Sequence, residues 1–162
     1  MDVKISAVPV SFPEGTNLII GQSHFIKTAE DIAEIMSTSV PRARFGLAFC
    51  EASGVCLIRT EGNDEALIAD AVRAAHTVGA GHSFFLIMRD SFPINVLNQI
   101  KSCQEVCRIF CATANPVQVM VGSTDQGNGI LGVIDGFPPK GVEKETDKAE
   151  RRAMLRTFGY KF

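Results

Sequence analysis

The chain has 162 residues, of which 46% are hydrophobic, and a formal net charge of −2 at pH 7. This size and composition predict one globular domain spanning residues 1–162, and so small a net charge gives no general attraction for nucleic acid or an anionic membrane. No apolar run approaches the roughly 20 residues that cross a bilayer. The first ten residues also lack the apolar centre of a signal peptide, so we expect a cytoplasmic protein.

Strand-like and helix-like patterns alternate along the chain. The helices are indicated by apolar residues spaced three and four apart, by caps such as Thr28 and Asn63, and by Gly79 after the last periodic position. The predicted strands are 3–10, 17–22, 45–51, 55–60, 84–89, 106–113, 117–123 and 130–135, and the predicted helices are 28–39, 63–79, 94–103 and 142–158.

Two strand–helix–strand connections, over 55–89 and 83–113, are typical of parallel strand pairs. The later turns, around 115–116 and 127–129, are typical of antiparallel hairpins. We therefore predict an α+β (α/β mixed) protein, in which a mixed β-sheet with parallel crossovers and antiparallel hairpins has helices packed on it.

Five cysteines lie at positions 50, 56, 103, 107 and 111. No C-x-x-C pair occurs, and the four-residue spacing from Cys103 to Cys111 runs into a predicted strand instead of along one helix, so zinc-binding patterns do not fit. We expect reduced, mostly buried cysteines that act as small hydrophobic residues, and no metal site.

The pattern Gly127-x-Gly129-x-x-Gly132 matches the dinucleotide-binding fingerprint letter for letter. A Rossmann site needs a helix after the glycines, whereas residues 130–134 are typical of a strand. Protein kinases cover phosphates with a glycine-rich loop between antiparallel strands, but their H-R-D and D-F-G motifs are absent here. We interpret this loop as a hairpin turn, with contact to a phosphate as the alternative.

The stretch Gly79-Ala80-Gly81-His82-Ser83 lies between a predicted helix and the apolar strand 84–89. In its simplest interpretation Gly79 ends the helix, Gly81 turns the chain, and His82 is a loop histidine. In the alternative, His82 is a nucleophile or proton carrier held beside backbone amides that can face an anion. The residues alone leave both interpretations open.

Polar side chains also follow several apolar runs, where sheets commonly present functional groups. Turn formation explains such residues equally well, because strands must end and Asp and Asn favour turns. These candidates are Glu51, Asp90, Thr113, Asn115 and Asp135; His24 and His76 have weaker claims.

Several motifs then occur together in a fixed order. They are Phe49-Cys50-Glu51-Ala52-Ser53-Gly54, Glu61-Gly62-Asn63-Asp64-Glu65, Gly79-Ala80-Gly81-His82-Ser83-Phe84, Pro93-Ile94-Asn95-Val96-Leu97-Asn98, Glu105-Val106-Cys107-Arg108-Ile109, Cys111-Ala112-Thr113-Ala114-Asn115-Pro116, Gly127-x-Gly129-Ile130-Leu131-Gly132-Val133-Ile134-Asp135-Gly136 and Gly159-Tyr160-Lys161. As a set they resemble the adenosine-specific kinase family of small prokaryotic cytosolic proteins, over nearly the whole chain.

The resemblance implies an α+β protein that assembles as a homotrimer, or as a hexamer built from trimers, and binds adenosine and AMP. It also implies a phosphorylatable histidine, which the Gly-His-Ser-Phe motif identifies as His82. The phosphoryl donor would be ATP or another nucleotide, with Mg²⁺ possible. The adenosine contacts are not assigned by the resemblance.

The chemistry would require a neutral His82 with one ring nitrogen free to attack and the other donating to a fixed acceptor. Glu51 is the predicted acceptor, and amides of Gly79, Gly81 and Ser83 are predicted to receive phosphate oxygens. The negative end of the helix that closes at Gly79 disfavours a phosphate there. A cation such as Arg89 or Lys140, or a metal, would have to offset it.

We therefore predict an adenosine- or AMP-binding phosphotransferase that works through His82. The alternatives are a non-catalytic adenine-nucleotide-binding sensor or carrier, and a structural oligomer whose glycine loops are only turns.

The predicted strand directions place His82, Glu51 and the turn 127–129 at one end of the sheet. Asp90, and the predicted ligand contacts Asn115 and Asp135, fall at the other end. A strand of about six residues is roughly 20 Å long, so one small ligand could use both ends only between subunits. We favour a site built from the His82 end alone.

Overall fold

The computed structural model describes residues 2–162, which form two β-sheets with helices on both faces of the larger one. In chain order the elements are β1 (Lys4–Val10), β2 (Asn17–Ser23), α1 (Thr28–Ser39), β3 (Arg44–Cys50), β4 (Ile58–Gly62), α2 (Glu65–Val78), β5 (Ser83–Arg89), a 3₁₀ turn (Pro93–Asn95), α3 (Leu97–Lys101), β6 (Val106–Thr113), β7 (Val117–Ser123), β8 (Asn128–Asp135) and α4 (Glu145–Thr157). The predicted α+β class is confirmed.

The predicted parallel crossovers are wrong. The larger sheet has the order β4-β3-β5-β2-β6 and the smaller has β1-β7-β8, and every pair of neighbouring strands in both is antiparallel. Strands β4, β5 and β6 do run in one direction, as the helical connections imply. However, β3 lies between β4 and β5, and β2 lies between β5 and β6, so the strands joined through helices are never adjacent.

Strand β5 is the centre of the larger sheet, and its apolar run Phe84–Met88 is fully buried. Alternate side chains enter two different cores. Phe85 and Ile87 pack with α2 and the smaller sheet, whereas Phe84 and Leu86 pack with α1 and α3. Burying a side chain of this size contributes about 1.5–3 kcal/mol, so this strand anchors both layers.

Helix α2 is held at both ends by residues suited to those positions. The Asp64 carboxylate caps its first turn by accepting from the amides of Ala66 and Leu67, and these bonds keep the pKa of Asp64 below its usual range. Asn63, the predicted cap, instead bonds the backbone of β3 and the turn before it. Gly79 ends the helix in the left-handed conformation, as predicted.

The cysteines are less buried than predicted. All five are free, but only Cys50 is fully buried, while Cys56 and Cys107 are exposed and the other two are intermediate. Burial still matters for Cys111, whose pKa it raises to about 11. The reason for the error is local: Cys56 lies in the β3–β4 loop, and Cys107 is on an outward-facing position of the edge strand β6.

The apolar side of the last helix, α4, is not buried against the rest of the chain. None of the residues in Glu145–Thr157 is buried, and Met154, with Phe158 just after the helix, is exposed to solvent. Within residues 2–162, no helix has both the length and the apolar character needed to cross a membrane.

We expect Gly46→Ala to destabilise the protein strongly. A Cβ at Gly46 would lie 2.2 Å from the Ile68 amide nitrogen, because α2 packs directly against the β3 backbone there. Overpacking of this kind costs about 2–3 kcal/mol, which chemical denaturation would measure. Gly132→Ala is the matched control, since no atom lies within 4 Å of its Cβ position. Equal stability of the two variants would contradict the close packing of α2 on β3.

Candidate functional site

One end of the larger sheet gathers most of the predicted site. Strand β3 ends there at Cys50, β2 ends at Ser23, and β5 begins at Ser83, because both neighbours run antiparallel to β5. The loop that contains His82 therefore lies beside Glu51, as predicted. The turn 127–129 of the smaller sheet reaches the same end, since Ala80 forms a bridge with Asn128.

A cavity of about 1070 Å³ opens at this end, on the α2 face of the larger sheet. Its lining combines two glycine-containing segments with apolar side chains of the surrounding elements. The residues are Val3, Cys50, Glu51, Ala52, Cys56, Leu57, Ile58, Val72, Ala75, His76, Gly79, Ala80, Gly81, Gly122, Thr124, Gln126, Gly127, Asn128, Gly129 and Leu131. Its size suits a small-molecule ligand such as a nucleoside.

Asn128 connects the smaller sheet to the end of α2 in the cavity wall. Its side-chain amide donates to the Val78 carbonyl at 3.1 Å, which gives one of the last carbonyls of α2 a partner. Gly79 and Gly81, both predicted to contact ligand, line this wall. Ser83 is buried and does not line the cavity; its hydroxyl donates to the Ala80 carbonyl at 2.6 Å and holds the turn.

His82 adopts a left-handed backbone conformation, with φ of 61°. Two strands hold it there: the His82 amide donates to the Cys50 carbonyl at 2.7 Å, and the Ser23 amide donates to the His82 carbonyl at 3.0 Å. A non-glycine residue in this conformation is uncommon and is a reason to look for function.

The imidazole of His82 stacks on the ring of Phe49, with centroids 6.0 Å apart and an interplanar angle of 19°. Phe49 belongs to the core under α1 and α3, so the imidazole lies on the opposite face of the sheet from the cavity. Accordingly His82 is not among the cavity-lining residues. The α2 carboxyl end is on the cavity face, so its negative dipole opposes a phosphate on His82 less than the sequence indicated.

Glu51 has other partners than the predicted one. Its carboxylate accepts from Arg59 Nη2 at 3.2 and 3.1 Å and from the Leu57 amide at 3.1 Å. Among the hydrogen bonds of residues 2–162, none joins Glu51 to His82. Oε1 accepts only from Arg59 in the described chain and keeps capacity for a further donor.

Arg59 is the charged residue that sequence analysis missed. It is the cross-strand partner of Phe49 in the β3–β4 ladder, and directly paired side chains share a face of the sheet. Arg59 and His82 therefore flank the same Phe49 ring. The predicted cation Arg89 lies instead at the far end of β5, opposite Arg44. Only the register of β3 with β4 could have identified Arg59.

Asn115 and Asp135 lie at the opposite end of the fold, joined to Thr113. Asp135 Oδ1 accepts from the Thr113 hydroxyl at 2.7 Å and from the Asn115 amide at 3.1 Å. The Asn115 backbone amide donates to the same Thr113 hydroxyl at 2.9 Å. This network links the end of β6 to the end of β8, which accounts for these residue types without a ligand.

Two smaller cavities lie near this opposite end of the fold. One of about 500 Å³ includes Asn115, and one of about 470 Å³ includes Thr113 between aromatic side chains of Phe92, Phe158 and Tyr160. Asp135 lines neither of them, and Asp90 is an exposed residue with φ of 58° at the end of β5.

Across residues 2–162, no three His, Cys, Asp or Glu side chains are grouped so as to hold a metal ion.

The strain at His82 predicts an unusual stability order. His82→Gly should be more stable than His82→Ala by roughly 1 kcal/mol, because only glycine adopts a φ of 61° without cost. Thermal or urea unfolding measures the difference. The same pair of substitutions at His76, in the last turn of α2, should give the reverse order. An alanine variant at 82 as stable as the glycine variant would refute the strained conformation.

Comparison with known proteins identifies the family. A sequence profile of the family described as "Adenosine specific kinase" matches residues 8–161. Among solved structures, the PH1918 protein from Pyrococcus horikoshii OT3 is 41% identical and superposes with a TM-score of 0.94, with 99% of each chain covered. A comparison with curated proteins finds no match. Because the profile spans nearly the whole chain, this protein belongs to the adenosine-specific kinase family, which indicates an adenosine-related kinase function.

Proposed function

We propose that this protein is an adenosine- and AMP-binding phosphotransferase in which His82 carries the phosphoryl group between donor and acceptor. The observation that supports it most is the left-handed His82, held by hydrogen bonds from β2 and β3 at the end of the sheet where the large cavity opens. Family membership supplies adenosine as the nucleoside.

The reaction would proceed in two transfers. A ring nitrogen of neutral His82 attacks the terminal phosphorus of ATP or another nucleotide, so that a P–N bond forms as the P–O bond to the leaving nucleotide breaks. The 5′-hydroxyl of adenosine then attacks the same phosphorus. The P–N bond breaks, the electron pair returns to the imidazole, and the hydroxyl proton passes to a nearby base as AMP forms.

The nucleoside would occupy the large cavity. Transfer needs the attacking oxygen within about 3–3.5 Å of the phosphorus, so the ribose must lie at the edge of the cavity nearest His82. Gly81 forms that edge, and the loop after β3 approaches it closely: a Cβ at Gly81 would lie 2.9 Å from the Ala52 Cβ. Of the amides predicted to receive phosphate oxygens, those of Gly79 and Ser83 already donate to the Ala75 and Ala80 carbonyls, which leaves the Gly81 amide as the proposed backbone donor.

Glu51 remains the proposed acceptor for the second ring nitrogen of His82. Its Oε1 has room for another donor, and a hydrogen bond there would fix the tautomer that leaves the attacking nitrogen free. Any Mg²⁺ would be held mainly by the nucleotide phosphates, as is usual for this ion, because the described residues offer no cluster of ligands.

We also propose a cytoplasmic homotrimer, or a hexamer built from trimers. Strands β1, β8, β4 and β6 are sheet edges, which need a partner or protection. The unburied α4 and the exposed Phe137 and Phe158 offer further apolar surface for contacts between copies. Light scattering that finds a monomer at micromolar concentration would overturn this assembly.

A non-catalytic adenine-nucleotide-binding protein is the competing function. It is favoured by the position of the His82 imidazole, which faces away from the cavity. Such a protein would bind adenosine and AMP without ever forming phosphohistidine.

We expect the intact protein to gain one phosphoryl group per chain after incubation with ATP and Mg²⁺, and to lose it in acid but not in base. His82→Ala should abolish the gain, because the nucleophilic nitrogen is removed. His24→Ala is the matched control that should still be modified, because His24 does not line the large cavity. Intact mass spectrometry measures all three proteins.

Calorimetry with adenosine and AMP distinguishes the proposed phosphotransferase from a non-catalytic binding protein and from a structural protein. Binding without phosphorylation would support the non-catalytic alternative and contradict the proposed transfer. Absence of both binding and phosphorylation would leave only a structural role.

Asp135→Ala should keep both binding and transfer, because the proposed site uses only the His82 end. Asp135→Asn, which retains the acceptor oxygen, controls for loss of the network with Thr113 and Asn115. If Asp135→Ala is inactive, it should be mixed with His82→Ala protomers under conditions of subunit exchange. Recovery of activity in the mixed oligomers would refute the one-ended site and place the site between subunits.

A further inference from the structure

The face of the larger sheet opposite the cavity carries an arginine whose hydrogen-bonding capacity is only partly used. Glu51 accepts from Arg59 through Nη2 alone, with both carboxylate oxygens on that one nitrogen. The Nε–H of Arg59 is buried and has no acceptor anywhere in residues 2–162. Buried donors are nearly always paired, so an acceptor from outside the chain would satisfy this N–H.

Arg59 is positioned next to the histidine by the sheet register. Phe49 pairs with Arg59 on one side and with Phe84 on the other, and all three lie on the α1 face. The His82 imidazole stacks on the Phe49 ring from the β5 side. Strands β4 and β5 lie on either side of β3, about 9–10 Å apart, so a long guanidinium side chain on β4 and an imidazole at the start of β5 can reach a common ligand beside the fully buried Phe49 ring.

The chemistry of this pair selects a tetrahedral oxyanion. A guanidinium binds phosphate through its N–H donors, and in Arg59 the Nε–H has no acceptor while Nη2 is already held by Glu51. The negative charge of Glu51 would repel a phosphate. However, both of its carboxylate oxygens already accept from Arg59 Nη2, and Oε2 also accepts from the Leu57 amide. Glu51 thus holds the guanidinium in place and leaves the Nε–H edge for another acceptor.

We propose that Arg59 binds the phosphoryl group at His82, with its Nε–H donating to a phosphoryl oxygen and Glu51 fixing the guanidinium. This assignment rests on the proposed function for the covalent step. The anion site itself needs only that a phosphate fits between Arg59 and His82, so it can be tested without transfer.

The direct test uses inorganic phosphate and the ¹⁵N-labelled full chain. The Nε–H resonance of Arg59, assigned by its loss in Arg59→Gln, should shift with phosphate in a saturable way. The resonance of Arg44, which pairs with Asp64 at the other end of β3, should not shift. Sodium chloride at matched ionic strength controls for screening. No shift of the Arg59 resonance at millimolar phosphate would overturn the site.

The second test compares AMP with adenosine by calorimetry. Arg59→Gln should weaken AMP binding about tenfold to a hundredfold while adenosine binding is unchanged, because only AMP carries the phosphate. Arg59→Lys keeps the charge near Glu51 but lacks the Nε–H, so it should recover part of the AMP affinity. Arg44→Gln should affect neither ligand. Equal loss of AMP and adenosine in both Arg59 variants would show a structural role and refute the proposal.

The two proposals fail in different ways. If no phosphohistidine forms but phosphate still shifts the Arg59 resonance, the transfer mechanism is wrong and the anion site stands. If phosphohistidine forms equally fast in Arg59→Gln, and AMP affinity is unchanged, the transfer stands and Arg59 is not its phosphoryl-binding residue.

Discussion

Burial of β5 on both faces is the constraint on which the rest of the molecule depends. Its five consecutive apolar residues, Phe84–Met88, can be covered only if a layer packs on each side. Helix α2 and the smaller sheet supply one layer, and α1 with α3 supplies the other. Because β2 and β3 both pair antiparallel with β5, their ends meet its start, and His82 becomes the point where three strands are joined by hydrogen bonds.

This arrangement gives the His82 loop two sides with different surroundings. On one side, its glycines form a wall of the large cavity, clamped by Asn128 from the smaller sheet. On the other, the imidazole rests on Phe49 beside Arg59. A nucleoside held on the first side and a phosphoryl group held on the second would meet at Gly81, where a larger residue would collide with Ala52. Glu51 connects the two sides, since it lines the cavity and also accepts from Arg59.

Much of the fold could be predicted because its signals are local. Strands β6 and β7 have the predicted bounds, the Gly79 cap closes α2 as predicted, and the strand after Gly129 excludes a Rossmann site. The parallel pairs could not be predicted correctly, since a helical connection sets only the relative direction of two strands. Whether another strand inserts between them depends on distant segments: β3 and β2 occupy those positions because they bury apolar residues on both sides of β5.

For the candidate site, the sequence by itself determined which residues stand at strand ends and that His82 follows a glycine turn. It also determined the family, through motifs spread over the whole chain. Only the tertiary structure decided which face of the sheet each side chain occupies. The left-handed φ of His82 places its ring on the Phe49 side, and the register of β4 places Arg59 there too. A shift of one residue in a strand reverses the face, and register is set by pairing between strands distant in sequence.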